Sequence, residues 1–301
     1  MKKILIVFGT RPEAIKMAPL VKEFKKSSEV ETKVAVTGQH REMLDQVLDF
    51  FEIIPDYDLS LMKPNQNLYN LTGEVINGMK PILEEFKPDY VFVHGDTTTT
   101  MAAGIAGFYS GAKVCHVEAG LRTHNMLSPF PEEMNRQLAG RVSTYHFAPT
   151  EKSQSNLLQE NVEQNKILVT GNTVIDALFE SSKRVETLEN DEVKLLRETL
   201  DLSKRVILVT GHRRENHGQG FINICTALKE IALKNPDVEI VYPVHLNPNV
   251  LKPVNELLGD VSNIHLVAPL SYPSFVWMMN QSYMIITDSG GVQEEAPSLG
   301  K

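Results

Sequence analysis

Carboxylates, cations and a histidine recur in this chain where a short apolar run gives way to a polar turn. Together they could carry proton transfer beside a phosphate. Asp96 stands in H-G-D-T-T-T-T, His94 to Thr100, where strand turns into helix; Asp96 or a threonine could equally serve as that helix's cap. Glu118 ends the apolar run of H-V-E-A-G-L-R-T, a costly place for a carboxylate without a partner or a task. Glu132 and Glu133 follow in S-P-F-P-E-E-M-N-R and open a helix, where acids suit the dipole and one of them could be capping alone. Asp96, Glu118 and Glu132 would share one end of one sheet, and crowding of like charges raises at least one pKa, leaving an acid and a base near neutral pH.

The cations lie elsewhere. In G-T-R-P-E-A-I-K, Thr10 and Glu13 have capping-box spacing, and Pro12 fits a first helical turn. Arg11 and Lys16 then sit near a helix N-terminus, ready for a phosphate or simply solvated on a well-capped helix. His212, in T-G-H-R-R-E-N, adds a group that titrates near neutrality. In T-D-S-G-G-V-Q-E-E, Ser289, Gly290 and Gly291 offer backbone N–H groups to a diphosphate, and Glu295 suits vicinal hydroxyls. The glycines alone also read as an ordinary turn.

Positioning such groups requires strand ends. Strands are expected at Lys3–Phe8, Lys33–Thr37, Asp89–His94, Lys113–Val117, Thr144–Phe147 and Ile167–Thr170, then at Arg205–Thr210, Val238–Tyr242, Asn263–Val267 and Tyr283–Thr287. Several are apolar throughout, as strands covered on both faces of a parallel sheet are. Helical patterns such as Leu68–Phe86 and Phe221–Lys234 alternate with them. The expected fold is α/β, two doubly wound Rossmann-like domains with parallel sheets, residues 1–180 and 181–301, and a ligand cleft between them. Leu299-Gly300-Lys301 would lead into a further strand, so the second domain reads as incomplete and the chain as truncated.

Composition excludes other classes. A net charge of -8 argues against general nucleic-acid binding. Cys115 and Cys225 form no C-x-x-C pair, which excludes a disulfide scaffold or a cysteine zinc site. The apolar stretch after Lys3 is too short for a signal peptide or a membrane span, so a cytoplasmic location is expected. No G-x-G-x-x-G follows the first strand, and neither a cofactor nor a metal is expected.

In order and spacing these motifs resemble the non-hydrolysing UDP-N-acetylglucosamine 2-epimerases, relatives of GT-B glycosyltransferases. The resemblance runs the length of the chain. It implies conversion of UDP-GlcNAc to UDP-ManNAc by loss of UDP and the C2 proton, through 2-acetamidoglucal, for bacterial surface polysaccharides. It implies a homodimer, with Asp96, Glu118, Glu132 and His212 catalytic. Arg11, Lys16, Ser289, Gly290, Gly291 and Glu295 match UDP-binding positions, with Phe275 near the uracil. Gln39, Gln66 and His245 match a regulatory UDP-GlcNAc site of one branch, which carries a basic residue where Asn65 stands here. A hydrolysing epimerase, a glycosyltransferase and an inactive UDP-sugar-binding relative are the alternatives.

Overall fold

Apolar runs bounded by turns build two parallel sheets. The computed structural model describes residues 1–301 apart from 39–40, 62, 64–65, 212, 214–215 and 217, and leaves the side chains of 41 and 42 aside. Two compact units divide the chain, Met1–Ala177 and Leu178–Lys301.

In the first unit the strands are β1 (Lys2–Phe8), β2 (Val30–Val36), β3 (Tyr57–Asp58), β4 (Tyr90–His94), β5 (Lys113–Val117), β6 (Tyr145–Ala148) and β7 (Ile167–Val169). They lie in the order β3-β2-β1-β4-β5-β6-β7, all parallel. Around them run α1 (Arg11–Lys26), α2 (Arg41–Phe51), α3 (Leu68–Phe86), α4 (Thr98–Tyr109), α5 (Glu132–Val142) and α6 (Glu151–Gln159), while α7 (Thr173–Arg184) begins in this unit and runs on into the second. Residues Leu5 to Phe8 of β1 are fully buried, as the unbroken apolar run requires. Leu5, Val7, Val91 and Val93 meet Val75 and Met79 of α3 and Ala102, Ala103 and Ala106 of α4 in one core. The pair β3 was not expected from the sequence. Two residues carry no periodicity, and β3 forms because the Asp56 carboxylate accepts the Val34 N–H at 2.8 Å and draws that segment alongside β2.

The second unit has β8 (Arg205–Thr210), β9 (Val238–Pro243), β10 (Ile264–Val267) and β11 (Met284–Thr287), parallel and in the order β10-β9-β8-β11. Its helices are α8 (Asp191–Thr199), α9 (Gln219–Lys234), α10 (Pro248–Leu258), α11 (Tyr272–Gln281) and α12 (Gly290–Glu295). Phe221, Tyr242, Val250 and Val254 fill its core.

Strand order reverses at β1/β4 in the first sheet and at β8/β11 in the second, and loops at such points open side by side at the carboxyl ends of the strands. The loops concerned carry Gly9 and Thr10, and Gly95 to Thr97, then Gly211, Arg213 and Asn216, and Asp288 and Ser289. Among the described residues no helix is long and apolar enough to cross a membrane.

Candidate functional site

The β1–α1 and β4–α4 loops are joined by one buried carboxylate. Thr10 and Glu13 form the expected capping box on α1. Glu13, only 2% exposed, goes further than a cap. Its Oε2 accepts the N–H groups of Gly9 at 3.0 Å and Thr10 at 2.8 Å, while Oε1 accepts the Thr97 hydroxyl at 2.6 Å. The cap is legible in the sequence, whereas the joint to Thr97 is not.

The threonine run settles what Asp96 does. Thr97 caps α4, its hydroxyl accepting the Thr100 N–H at 3.1 Å. Thr99 pairs with Thr37 at 2.9 Å, and the Thr100 hydroxyl donates to the His94 carbonyl. Asp96 is therefore relieved of capping, and its Oδ2 takes Arg136 Nη2 at 2.6 Å. Asn135 Nδ2 donates to the Asp96 carbonyl at 2.9 Å. Arg136 and Asn135 both stand on α5, and the spacing of P-E-E-M-N-R alone gives neither a role. The Asp96 carboxyl is pushed upward, first by burial and then by Glu118 and Glu132, against the pull of Arg136. Crowding of carboxylates thus contributes as expected, but desolvation leads.

Glu118 follows β5 with φ 58°, left-handed backbone that a non-glycine residue adopts at a cost of order 1–3 kcal/mol. Its side chain, 12% exposed, turns to Lys16 in an ion pair. The same oxygen, Oε2, accepts Asn172 Nδ2 at 3.1 Å and lies 3.5 Å from His94 Nε2. Burial alone would raise the Glu118 carboxyl; His94 and Lys16 outweigh it and hold the group well below the usual carboxylate range. Lys16, assigned to UDP by resemblance, here engages Glu118.

The turn behind Glu118 is tied down. Gly120, at φ 89°, lies so close to α6 that a Cβ would overlap the Ser153 carbonyl oxygen. Asn156 Nδ2 donates to the Gly120 carbonyl at 2.9 Å. Arg122 spans Glu160 with Nε at 2.7 Å and Nη2 at 2.9 Å. Of the two acids opening α5, Glu133 is the structural one: it is fully buried and accepts the N–H groups of Thr123 at 3.0 Å and His124 at 3.1 Å. Glu132 is half-buried beside Asp96 in charge terms.

Two buried histidines brace the same strands. His116 Nε2 meets the Gly95 carbonyl at 2.6 Å, which makes Nε2 the protonated nitrogen. Burial lowers His116 to about 3 and His146 to about 4, from 6.5. Both stay neutral in the fold, while the unfolded chain takes up protons below about pH 6.5. Stability is therefore whole above that pH and falls as the pH drops toward 4. Thermal melts between pH 7 and pH 4 should show the midpoint falling steadily; a flat midpoint would show that the histidines do not stay neutral.

In the second unit, Asp288 Oδ2 accepts the Arg213 N–H and Asn216 Nδ2, each at 3.0 Å, and so fastens the β8 loop to the β11 loop. Arg213 Nη2 reaches within 3.5 Å of where a Gly290 Cβ would stand, bringing a cation to the Ser289-Gly290-Gly291 turn. Arg213 was missed, although the H-R-R run was its signal. Glu295 is buried at the end of α12, and Phe275 is half-buried on α11. Arg11 is half-buried at the start of α1. Gln66 donates to the Leu61 carbonyl at 2.7 Å, and exposed His245 accepts the Asn247 N–H at 3.1 Å. His212 and Gln39 lie outside the described residues. Among the described residues no cluster of three or more His, Cys, Asp or Glu could hold a metal.

The arrangement matches known proteins over nearly its whole length. A protein-family model described as UDP-N-acetylglucosamine 2-epimerase matches residues 22–301. The chain is 60% identical over 301 residues to the UDP-N-acetylglucosamine 2-epimerase of Yersinia pestis, covering 99% of this chain and 80% of that one. It is 58% identical to the enzyme of the same name from Escherichia coli strain K12, again over 99% and 80%. A solved structure of UDP-GlcNAc 2-epimerase from Neisseria meningitidis, bound to UDP-GlcNAc, is 53% identical with a TM-score of 0.87, over 99% of this chain and 81% of that one.

Proposed function

The chain belongs to the UDP-N-acetylglucosamine 2-epimerase family, and from that membership we propose that it interconverts UDP-N-acetylglucosamine and UDP-N-acetylmannosamine by proton transfer at the carboxylates of its first unit. The observation that carries the chemistry is the contrast between Glu118 and Asp96. Glu118 is held ionised by His94 and Lys16, so it carries no proton at rest, and its proton affinity rises when Lys16 turns from it to the diphosphate. Asp96 is pushed toward its protonated form, the state that returns one.

The sugar's C2 hydrogen is not acidic, so it leaves only as another bond breaks. The C2 proton passes to a carboxylate, its electron pair becomes the C1–C2 double bond, and the C1–O bond to UDP breaks with its pair leaving on the diphosphate. The diphosphate oxygen then re-forms the C1–O bond while C2 is protonated on its other face. No electrons are gained or lost overall. Glu132 belongs to the same group of acids, and His212 is assigned with them on the family resemblance alone. Arg11 and Lys16 would offset charge on the departing diphosphate. We assign UDP to residues of the second unit: the Ser289-Gly290-Gly291 turn with Arg213, Glu295 for the ribose and Phe275 for the base. The units are read as a carboxylate-bearing N-terminal domain and a UDP-binding C-terminal one. Membership also supports a homodimer, a cytoplasmic location and a role in bacterial surface polysaccharide synthesis.

The test is to incubate UDP-GlcNAc alone with the protein in heavy water and identify the products. The expected product is UDP-ManNAc, with deuterium at C2 of both epimers. Free sugar plus UDP would mean a hydrolysing enzyme, and no product a binding module. Epimer that keeps its original C2 hydrogen would overturn the proton-transfer route.

A further inference from the structure

Asn172 lies outside every motif picked from the sequence, in the turn between β7 and α7. Its two side-chain atoms have different tasks. Oδ1 accepts the Val174 N–H at 3.1 Å and caps the first turn of α7. Nδ2 donates to Glu118 Oε2 at 3.1 Å. A flipped amide would set oxygen against carboxylate and N–H against N–H, so the cap itself dictates that the donor faces Glu118.

The other groups facing Glu118 are less constrained or less well aimed. Lys16, from α1, is a cation on a flexible stem, and a bound phosphate would compete for it. His94, at the end of β4, stands 3.5 Å away, beyond a good hydrogen bond. Asp96, in the loop after β4, adds a like charge. Asn172 is therefore the neutral donor that keeps its place when Lys16 is drawn to a ligand.

We propose that Asn172 is a positioning residue of the epimerase site, whose capped amide holds the Glu118 carboxylate in its working orientation independently of Lys16. The proposal rests on the reading of Glu118 as a proton-transfer group.

Two substitutions separate this role from capping. Serine and aspartate both cap helices, so N172S and N172D keep the start of α7, yet the shorter serine hydroxyl stops short of Glu118 where the Asn172 amide reaches it, and an ionised aspartate has no hydrogen to donate. Both variants should melt within a few degrees of the parent. N172S should lose about 10- to 100-fold in kcat at nearly unchanged KM, the size of one hydrogen bond to a charged group. N172D sets a second carboxylate against Glu118, and the acid limb of its kcat–pH profile should move up by about one unit or more. Parental kcat in N172S, or a parental acid limb in N172D, overturns the proposal. So does a kcat loss in N172S that vanishes below its melting range, which would mean capping alone. E118Q, assayed alongside, tells the two failures apart. If E118Q is inactive while both Asn172 variants behave as the parent, only the positioning role falls. If E118Q turns over normally, the reading of Glu118 falls and takes this one with it.

Discussion

Glu118→Gln should lower kcat by about 10³-fold or more, with KM for UDP-GlcNAc changed only a few-fold. A positioned acid or base contributes on the order of 10²–10⁴-fold, and glutamine keeps the size and hydrogen bonding of glutamate without its proton-transfer capacity. Folding should suffer little. The carboxylate gives up an ion pair with Lys16, but Lys16 keeps 20% side-chain exposure and can turn its ammonium toward water. The substitution also removes a charge that burial opposes and a like charge facing Asp96. A stability loss near 1 kcal/mol is the expected balance, the usual scale of one net hydrogen bond. The measurements are initial rates by nucleotide-sugar chromatography and a thermal melt of each protein. Parental turnover in the variant would remove Glu118 from the chemistry, whatever the melt shows.

The second large effect is on the fold, four residues further along the chain. The Arg122 side chain is fully buried and bidentate to Glu160, and its Nη1 also donates to the Leu121 carbonyl at 2.7 Å. Truncating one partner of such a pair leaves a desolvated charge behind, which typically costs about 3–5 kcal/mol. Glu160 keeps 22% side-chain exposure, so the lower end of that range, about 3 kcal/mol, is the expectation for Arg122→Met. In a unit of this size the melting midpoint should drop by roughly 6–12 °C. Adding Glu160→Met should restore much of the loss, because a buried ion pair replaced by apolar groups of similar volume is often close to neutral. A double variant that melts as low as the single one would show that Arg122 acts through something other than its pairing. Arg122 lies four residues after Glu118, in the segment that follows the left-handed turn.

Much of the fold could be read from the chain alone, for a physical reason. Ile4-Leu5-Ile6-Val7 and Val206-Ile207-Leu208-Val209 are apolar without alternation, and only strands covered on both faces sustain that pattern. The helix Leu68–Phe86 was readable to the residue. The Thr10–Glu13 box was readable because capping is a contact three residues long. Glu118 stood out because a carboxylate ending an apolar strand is expensive unless something compensates it.

What compensates it was not readable. Lys16 lies 102 residues from Glu118 in sequence and Asn172 lies 54 residues away. No local period reports such distances. They are set by the strand order, which places the ends of β1, β4, β5 and β7 at one edge of the sheet. The same holds for the choice between neighbours of one type. Thr97, not Asp96, caps α4, because Glu13 approaches from another loop and fixes the Thr97 hydroxyl. Glu133, not Glu132, is absorbed by structure, because the Thr123 and His124 N–H groups face it. Residue type and spacing determined which groups could do chemistry; only the three-dimensional packing decided which of them were occupied as caps and braces and which stayed available, since a side chain's proton affinity depends on partners that the chain brings together from afar.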